Sequence, residues 1–462
     1  MKPLLKILAF VALVAAVGAA LVVSLRVGPA PEVRISPSAR AIGRRANVVV
    51  TTSAGGRGLA GVRVEVEQGG TVTVVARAEH RPHAPWAFGR AGLQRAELRA
   101  EVGRDAVPGL HDGEATVRVV AERAPTWLRH PTAVVAELKL PVRLSPPTLA
   151  LVSSAHDIAQ GGSGVVVYRV GDTAQRHGVR AGAWFFPGAA LPGGSGERMA
   201  LFGVPWDETS AERVRLVAED DAGNVSELAF VDHFAPKPPH ADRIELQDDF
   251  LERVVGEIRA QTPGLRDGGD TLANYLEINR ELRRKNAAEL VELSRRSAPR
   301  FLWQQPFQPM RNAQVMSSFA DRRSYLYQGR EVDQQTHLGF DLAATARAPV
   351  PAANSGTVLL ARYFGIYGNT VVLDHGFGLA TLYSHLSAID VKEGQTIERG
   401  AVVGRTGRTG LAGGDHLHFT TLVGGLPVSP LEWWDPHWVR DRVAARLAPA
   451  VRFEGPLAVA AP

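Results

Sequence analysis

The chain has 462 residues, 45% of them hydrophobic and 21% charged, with a net charge of +5 and no cysteine. That is an ordinary globular balance and enough chain for about three domains. A disulfide framework and a thiolate metal site are both excluded. The basic residues are scattered with no run of five or six, which argues against nucleic acid as a partner.

In chain order, the first element is apolar. Nineteen uncharged residues from Ile7 to Leu25 lie between Lys6 and Arg26, about the length that spans a bilayer as a helix. Lys2 and Lys6 precede it and favour a cytoplasmic N-terminus. Residues 1–28 therefore read as a cytoplasmic stub and membrane anchor. Val17-Gly-Ala19 offers a site for cleavage as a signal peptide, and either reading exports the rest of the chain.

Residues 29–145 are β-rich. Ala46–Thr51, Val62–Val66, Val72–Val75, Ala115–Val120 and Val134–Leu140 read as strands between Gly, Pro and Asp clusters. A second such stretch, 146–236, carries Leu149–Ser153, Gly164–Tyr168 and Val214–Ala218 and closes on the turn sequence Asp220-Asp-Ala-Gly-Asn224. Two Ig-like β-sandwich modules in tandem are expected, with one larger β-domain as the alternative. Ala235-Pro-Lys-Pro-Pro239 reads as a stiff linker. Helices are then expected over about Leu246–Ala260 and Thr271–Arg296, forming a helical hairpin within 237–299. Residues 300–436 form the next domain. A short helix over Trp438–Leu447 and a loose tail from Gly455 complete 437–462.

The chemistry is concentrated between His337 and His418. Three motifs occur in order: His337-Leu-Gly-Phe-Asp341, Leu382-Tyr-Ser-His385 and His416-Leu-His418. Side chains alternate along a strand, so His337 shares a face with Asp341, and His416 with His418. Phe340, Leu417, Phe419 and Thr420 suit strands, and Gly339 disfavours a helix. Two facing strands would then gather His337, Asp341 and one histidine of the final pair around a single metal, leaving a fourth position for water. That is how catalytic zinc sites are built. His385 and the spare histidine remain as uncoordinated bases.

These motifs resemble the lysostaphin/LytM-type zinc endopeptidases, which cut peptide cross-links in bacterial cell walls. The likeness runs from about Phe307 to Trp434 and includes glycine-rich connectors such as Val350–Val358 and Val403–Gly407. The resemblance implies a C-terminal all-β peptidase domain in a mainly β, multidomain chain. It implies His337, Asp341 and His418 as ligands of one Zn2+ per chain, and His385 and His416 as catalytic histidines. Tyr383 and Asn369 are candidate groove residues. Peptidoglycan is the implied substrate, in a Gram-negative envelope a D-alanyl–diaminopimelate link, and the implied setting is the periplasmic face of the inner membrane. Thr420 departs from the family, where many relatives carry an acid.

Two other readings compete. A non-catalytic activator of other wall hydrolases would have lost ligands, and none is lost here. An efflux adaptor would share the anchor, the helical hairpin and the glycine motifs but has no use for five positioned metal-site residues. A partner protein in the envelope could bind the β-modules or the hairpin. The hairpin could also cover the active site.

Overall fold

The computed structural model describes residues 2–84, 86–87, 94–194, 196–238 and 240–458; the side chains of Lys2 and Gln94 are not described. Pro239 of the expected linker and residues 459–462 of the expected tail lie outside this set.

The chain is mainly β, built from several sheets behind an apolar helix. That helix spans Lys2–Leu25, is exposed from Pro3 to Val22, and is long and apolar enough over Pro3–Leu25 to cross a membrane. The chain, this helix included, divides into two compact units. The first comprises Met1–Pro147 with Asp172–Gln175 and Glu219–Ser226, and the second comprises Thr148–Gly171, Arg176–Ala218 and Glu227–Pro462.

In the first unit, Glu32–Pro37, Asn47–Ala54 and Gln94–Glu101 make a three-stranded antiparallel sheet. Thr71–Glu79, Leu59–Gln68, Gly113–Arg123 and Val134–Val142 make a four-stranded one, in that order. Along Asn47–Ala54 buried and open positions alternate, so Val48 and Val50 enter a core shared with Val62, Val64, Val117 and Val119. The Asp220 carboxylate accepts the amides of Ala222 and Asn224, both at 2.9 Å, and so closes the turn expected at that point.

The second unit contains two four-stranded sheets built around Ser163–Val170 and Val214–Asp220, then the helices, then the C-terminal domain. The sequence suggests a separate module at 146–236. Most of it instead shares one apolar core with the C-terminal domain: Tyr168, Phe186 and Phe202 belong to the same cluster as Phe340, Phe419 and Trp433. Each such side chain contributes roughly 1.5–3 kcal/mol when fully buried. A polar clasp sits in this core. Glu432 Oε2 accepts the Ser163 amide at 2.8 Å, and Trp433 Nε1 donates to Ser163 Oγ at 3.0 Å.

The helices run over Asp248–Gln261, Thr271–Glu277 and Arg283–Ser294, the last two joined by a π-turn at Ile278–Leu282. Leu251, Val254, Ile258, Tyr275 and Ile278 pack with Tyr325 and Ile366 of the C-terminal domain. The strand Ala241–Glu245 ahead of them pairs in parallel with Asp321–Tyr327. At the C-terminus the expected helix extends over Pro436–Leu447 with a π segment inside it. The tail is not loose at its start: Leu457 and Phe453 are buried in the main core, and the Glu454 amide donates to Gln304 O at 3.0 Å.

The C-terminal domain is organised on a large antiparallel sheet in the order Gln314–Ser317, Phe340–Ala343, Leu417–Val423, Leu379–Leu386, Asn369–Gly376, Gly356–Tyr363 and Thr396–Ile397. Asp341, His385 and His418 thereby fall on three adjacent strands.

Candidate metal centre

Asp341 and His418 are direct partners across two neighbouring strands. His337 ends the preceding strand, Arg330–His337, and the Leu338-Gly339 step swings it back over Asp341. His337 and Asp341 thus converge from two strands rather than from one face of a single strand. A β-carbon on Gly339 would lie 2.5 Å from the His418 ring, so the turn needs glycine for this close approach.

Three donor atoms meet. His337 Nε2 lies 3.0 Å from Asp341 Oδ1 and 2.9 Å from His418 Nδ1, and His418 Nδ1 lies 2.9 Å from Asp341 Oδ1. All three residues are buried. Tetrahedral bonds of roughly 2.0–2.1 Å put neighbouring ligands about 3.3 Å apart, near these spacings.

The protons say the same. The Ser318 carbonyl, 2.9 Å from His337 Nδ1, can only accept, so Nδ1 carries the hydrogen and Nε2 offers a lone pair. Thr420 Oγ1 gives its proton to Leu338 O at 3.0 Å and therefore accepts from His418 Nε2 at 3.1 Å, which leaves a lone pair on His418 Nδ1. Two imidazole lone pairs and a carboxylate oxygen facing each other out of water suit a cation between them. Arg323 completes the arrangement: it donates to Asp341 Oδ2 at 2.9 Å and leaves Oδ1 to point inward. Burial opposes ionisation of Asp341, but its polar surroundings, with His337, His416 and His418 all close to the carboxylate, outweigh it and hold the carboxyl well below its ordinary value.

The other two histidines flank this group. His385 reaches it through a β-bulge. Tyr383 pairs with Val371 and Leu386 with Asn369, so Ser384 and His385 together oppose Thr370 alone. His385 has φ +60°, a left-handed conformation that turns its ring out of the strand alternation and toward the centre. Its Nδ1 donates to Thr409 O at 2.8 Å, and His416 Nδ1 donates to Gly414 O at 2.9 Å. The Nε2 atom of His416 lies 3.5 Å from Asp341 Oδ1, and the two rings are 4.9 Å apart. Their environments pull them in opposite directions. Burial, with the neighbouring His416 and His418, drives the His385 pKa well down. Burial also opposes charge on His416, but the hydrogen bond to Asp341 and its charge prevail and raise it.

Tyr383 and Asn369 do not line the cavity over this centre. Tyr383 obeys the strand alternation that His385 escapes. It is buried beside Phe419 and spends its hydroxyl on the Ala353 amide at 2.7 Å and Thr381 Oγ1 at 2.9 Å. Asn369 donates to Leu386 O at 3.1 Å and so braces the bulge. His375 is structural, held between Ser355 O and Thr381 Oγ1 at 2.8 Å each.

The cavity itself encloses about 410 Å³. Arg323, Tyr325 and Tyr367 form part of its wall, and Phe250, Tyr275 and Arg283 of the helices form another part. Among the described residues, one further group, His240, Asp242 and Asp321, also brings potential ligand atoms together, more openly. Asp321 Oδ2 there accepts the Ser318 amide at 2.7 Å and so steadies the carbonyl that holds His337.

The His–Asp–His group on this sheet could hold a metal ion, and residues 335–430 match Peptidase family M23. The chain carries a peptidase M23 domain at its C-terminal end. It is similar to the peptidoglycan DD-endopeptidase ShyA of Vibrio cholerae, 30% identical over 226 residues that cover 48% of this chain and 50% of that protein. It is also similar to the DD-carboxypeptidase/endopeptidase Mpg of Neisseria meningitidis, 41% identical over 95 residues, covering 21% and 22%. The chain thus spans half or less of the length of these relatives. Among solved structures, the catalytic domain of lysostaphin from Staphylococcus simulans aligns at 23% identity with a TM-score of 0.21, covering 31% of this chain and 96% of that one.

Proposed function

We propose that the chain is a zinc-dependent endopeptidase that hydrolyses peptide cross-links of bacterial peptidoglycan, held in the inner membrane by the Lys2–Leu25 helix with its catalytic domain in the periplasm. One observation carries the reading: the His337, Asp341 and His418 donor atoms converge with both imidazole tautomers fixed by acceptors behind them. The similarity to DD-endopeptidases supports the substrate class.

Zinc held by these three residues would polarise the scissile carbonyl and acidify its bound water. The chain's own groups do the rest. His385, kept neutral by burial, is the base that takes the proton of the attacking water at Nε2. His416, whose Nδ1 donates to Gly414 O and whose Nε2 faces the centre, would donate from Nε2 as the imidazolium to the oxyanion that forms. Arg323 holds Asp341 so that a single oxygen faces inward. Replacing His337, Asp341 or His418 with Ala tests the assignment: each variant should lose bound zinc and wall hydrolysis together. Normal metal content in all three would place the centre elsewhere.

A further inference from the structure

Among the described residues of the first unit, the most exposed large apolar side chain is Trp127, at 86%, with Leu128 beside it at 52%. Both stand on a tight turn closed by the Thr126 amide donating to Arg129 O at 2.8 Å. The base of this turn is fixed rather than loose. Ala124 and Thr126 are buried, and Arg57 donates to Pro125 O at 2.9 Å. The same Arg57 donates to His83 O at 3.0 Å, which ties down a second segment carrying the exposed Trp86.

This turn lies where the apolar helix ends. Thr126 Oγ1 donates to Ser24 O in the last turn of that helix. Arg123 Nη1 donates to Gly28 O at 3.2 Å, and Gly28 packs against the Gly55–Arg57 turn. Arg81 and Arg129, both exposed, flank the two tryptophan segments. An indole with one polar edge is best placed at the boundary between lipid headgroups and acyl chains, and arginines beside it suit anionic headgroups.

We propose that the Thr126–Arg129 turn is a membrane-interface foot. Trp127 and Leu128 enter the headgroup region of the bilayer that the helix crosses, and Arg57 and Thr126 hold that foot at the helix exit. The proposal rests on the membrane reading of the helix. It orients the first unit, because a residue at the Gly69–Gly70 hairpin end of its central strand stands about 30 Å from the Leu59 end.

The chain has no cysteine, so a single substitution supplies the only thiol for a nitroxide label. The full chain, with Leu128→Cys or Val72→Cys labelled, is reconstituted into bilayers of phosphatidylethanolamine and phosphatidylglycerol. Collision rates with oxygen and with a water-soluble nickel complex then report depth. The label at position 128 should read as immersed, severalfold more accessible to oxygen relative to nickel than the label at position 72, and Trp127→Ser should make it shallower. Hydrolysis of soluble wall fragments should be unchanged in all three variants. Water-like readings at both positions would overturn the proposal, as would immobilisation of the label at position 128 by purified sacculi and not by lipid. N-terminal sequencing separates the two readings. If the chain is processed near Ala20, the anchor fails, and the processed chain is mixed with vesicles of the same lipids. Immersion at position 128 then still supports the foot, and no binding overturns it.

Discussion

Thr420 Oγ1 accepts a hydrogen bond from His418 Nε2 at 3.1 Å while donating its own proton to Leu338 O at 3.0 Å. This hydroxyl fixes which nitrogen of His418 can bind a metal. Thr420→Val keeps the shape and removes the acceptor. Affinity for zinc, measured by competition with a chelating dye, should fall about 10- to 100-fold, and Thr420→Ser should restore most of it. Unchanged affinity in Thr420→Val would remove the hydroxyl from the centre.

The two flanking histidines should behave differently from the ligands. His385→Ala and His416→Ala should retain zinc close to one per chain and lose at least about a hundredfold in hydrolysis rate, the usual scale for a general base or an oxyanion donor. Metal analysis and rate must be measured on the same preparations. Loss of zinc from His416→Ala but not from His418→Ala would reverse the assignment of the final pair.

The helix Asp248–Gln261 grips the loop beside the centre. Arg253 donates to Ala412 O at 2.6 Å and to Arg408 O at 3.3 Å, and Glu257 Oε1 accepts the Gly410 amide at 2.8 Å. Phe250 of the same helix forms part of the cavity wall, and we propose that these bonds hold the helix as a cover. Combined Arg253→Ala and Glu257→Ala, which touch no ligand, should raise sacculus digestion severalfold with zinc content unchanged. Equal rates would leave the helices a purely structural role.

That His337, Asp341 and one histidine of the final pair could gather was legible from residues two and four apart, but alternation put His337 and Asp341 on one face of a single strand, and the structure brings them together from two strands through the Leu338-Gly339 step. The supports were not legible. Arg323 and Thr420 reach the centre from two strands and Ser318 from just beyond the end of a third, and nothing in their local sequence marks them. The position of His385 depends on a bulge, which the alternation rule cannot foresee, while Tyr383 keeps the alternation and points into the core. Gln94–Glu101 has no apolar run to signal a strand; pairing with Asn47–Ala54 makes it one. The shared core of the second unit depends on Ser163 meeting Glu432 and Trp433, some 270 positions later, a closure that composition does not reveal.

That clasp has a pH signature. Burial pushes the Glu432 carboxyl up to about 7 from an ordinary 4.5, against the hydrogen bonds from Ser163. The native state therefore holds this proton more tightly than the unfolded chain, and the stability it confers below pH 4.5 is lost as pH rises through 7. Glu432→Gln carries no titrating group. Relative to the natural chain it should gain on the order of 1–3 kcal/mol between pH 5 and pH 8, seen as a rising difference in Tm. A constant difference across that range would mean Glu432 does not titrate there.

The most direct test of the account is digestion of purified peptidoglycan sacculi by the zinc-loaded protein, with and without a chelator, followed by mass analysis of the released fragments. The prediction is that cross-linked dimers fall and their uncross-linked monomers rise, that the chelator stops this, that added zinc restores it, and that His337→Ala never shows it. Unaltered cross-linking with the metal-loaded protein, or the same products in the presence of the chelator, would contradict it.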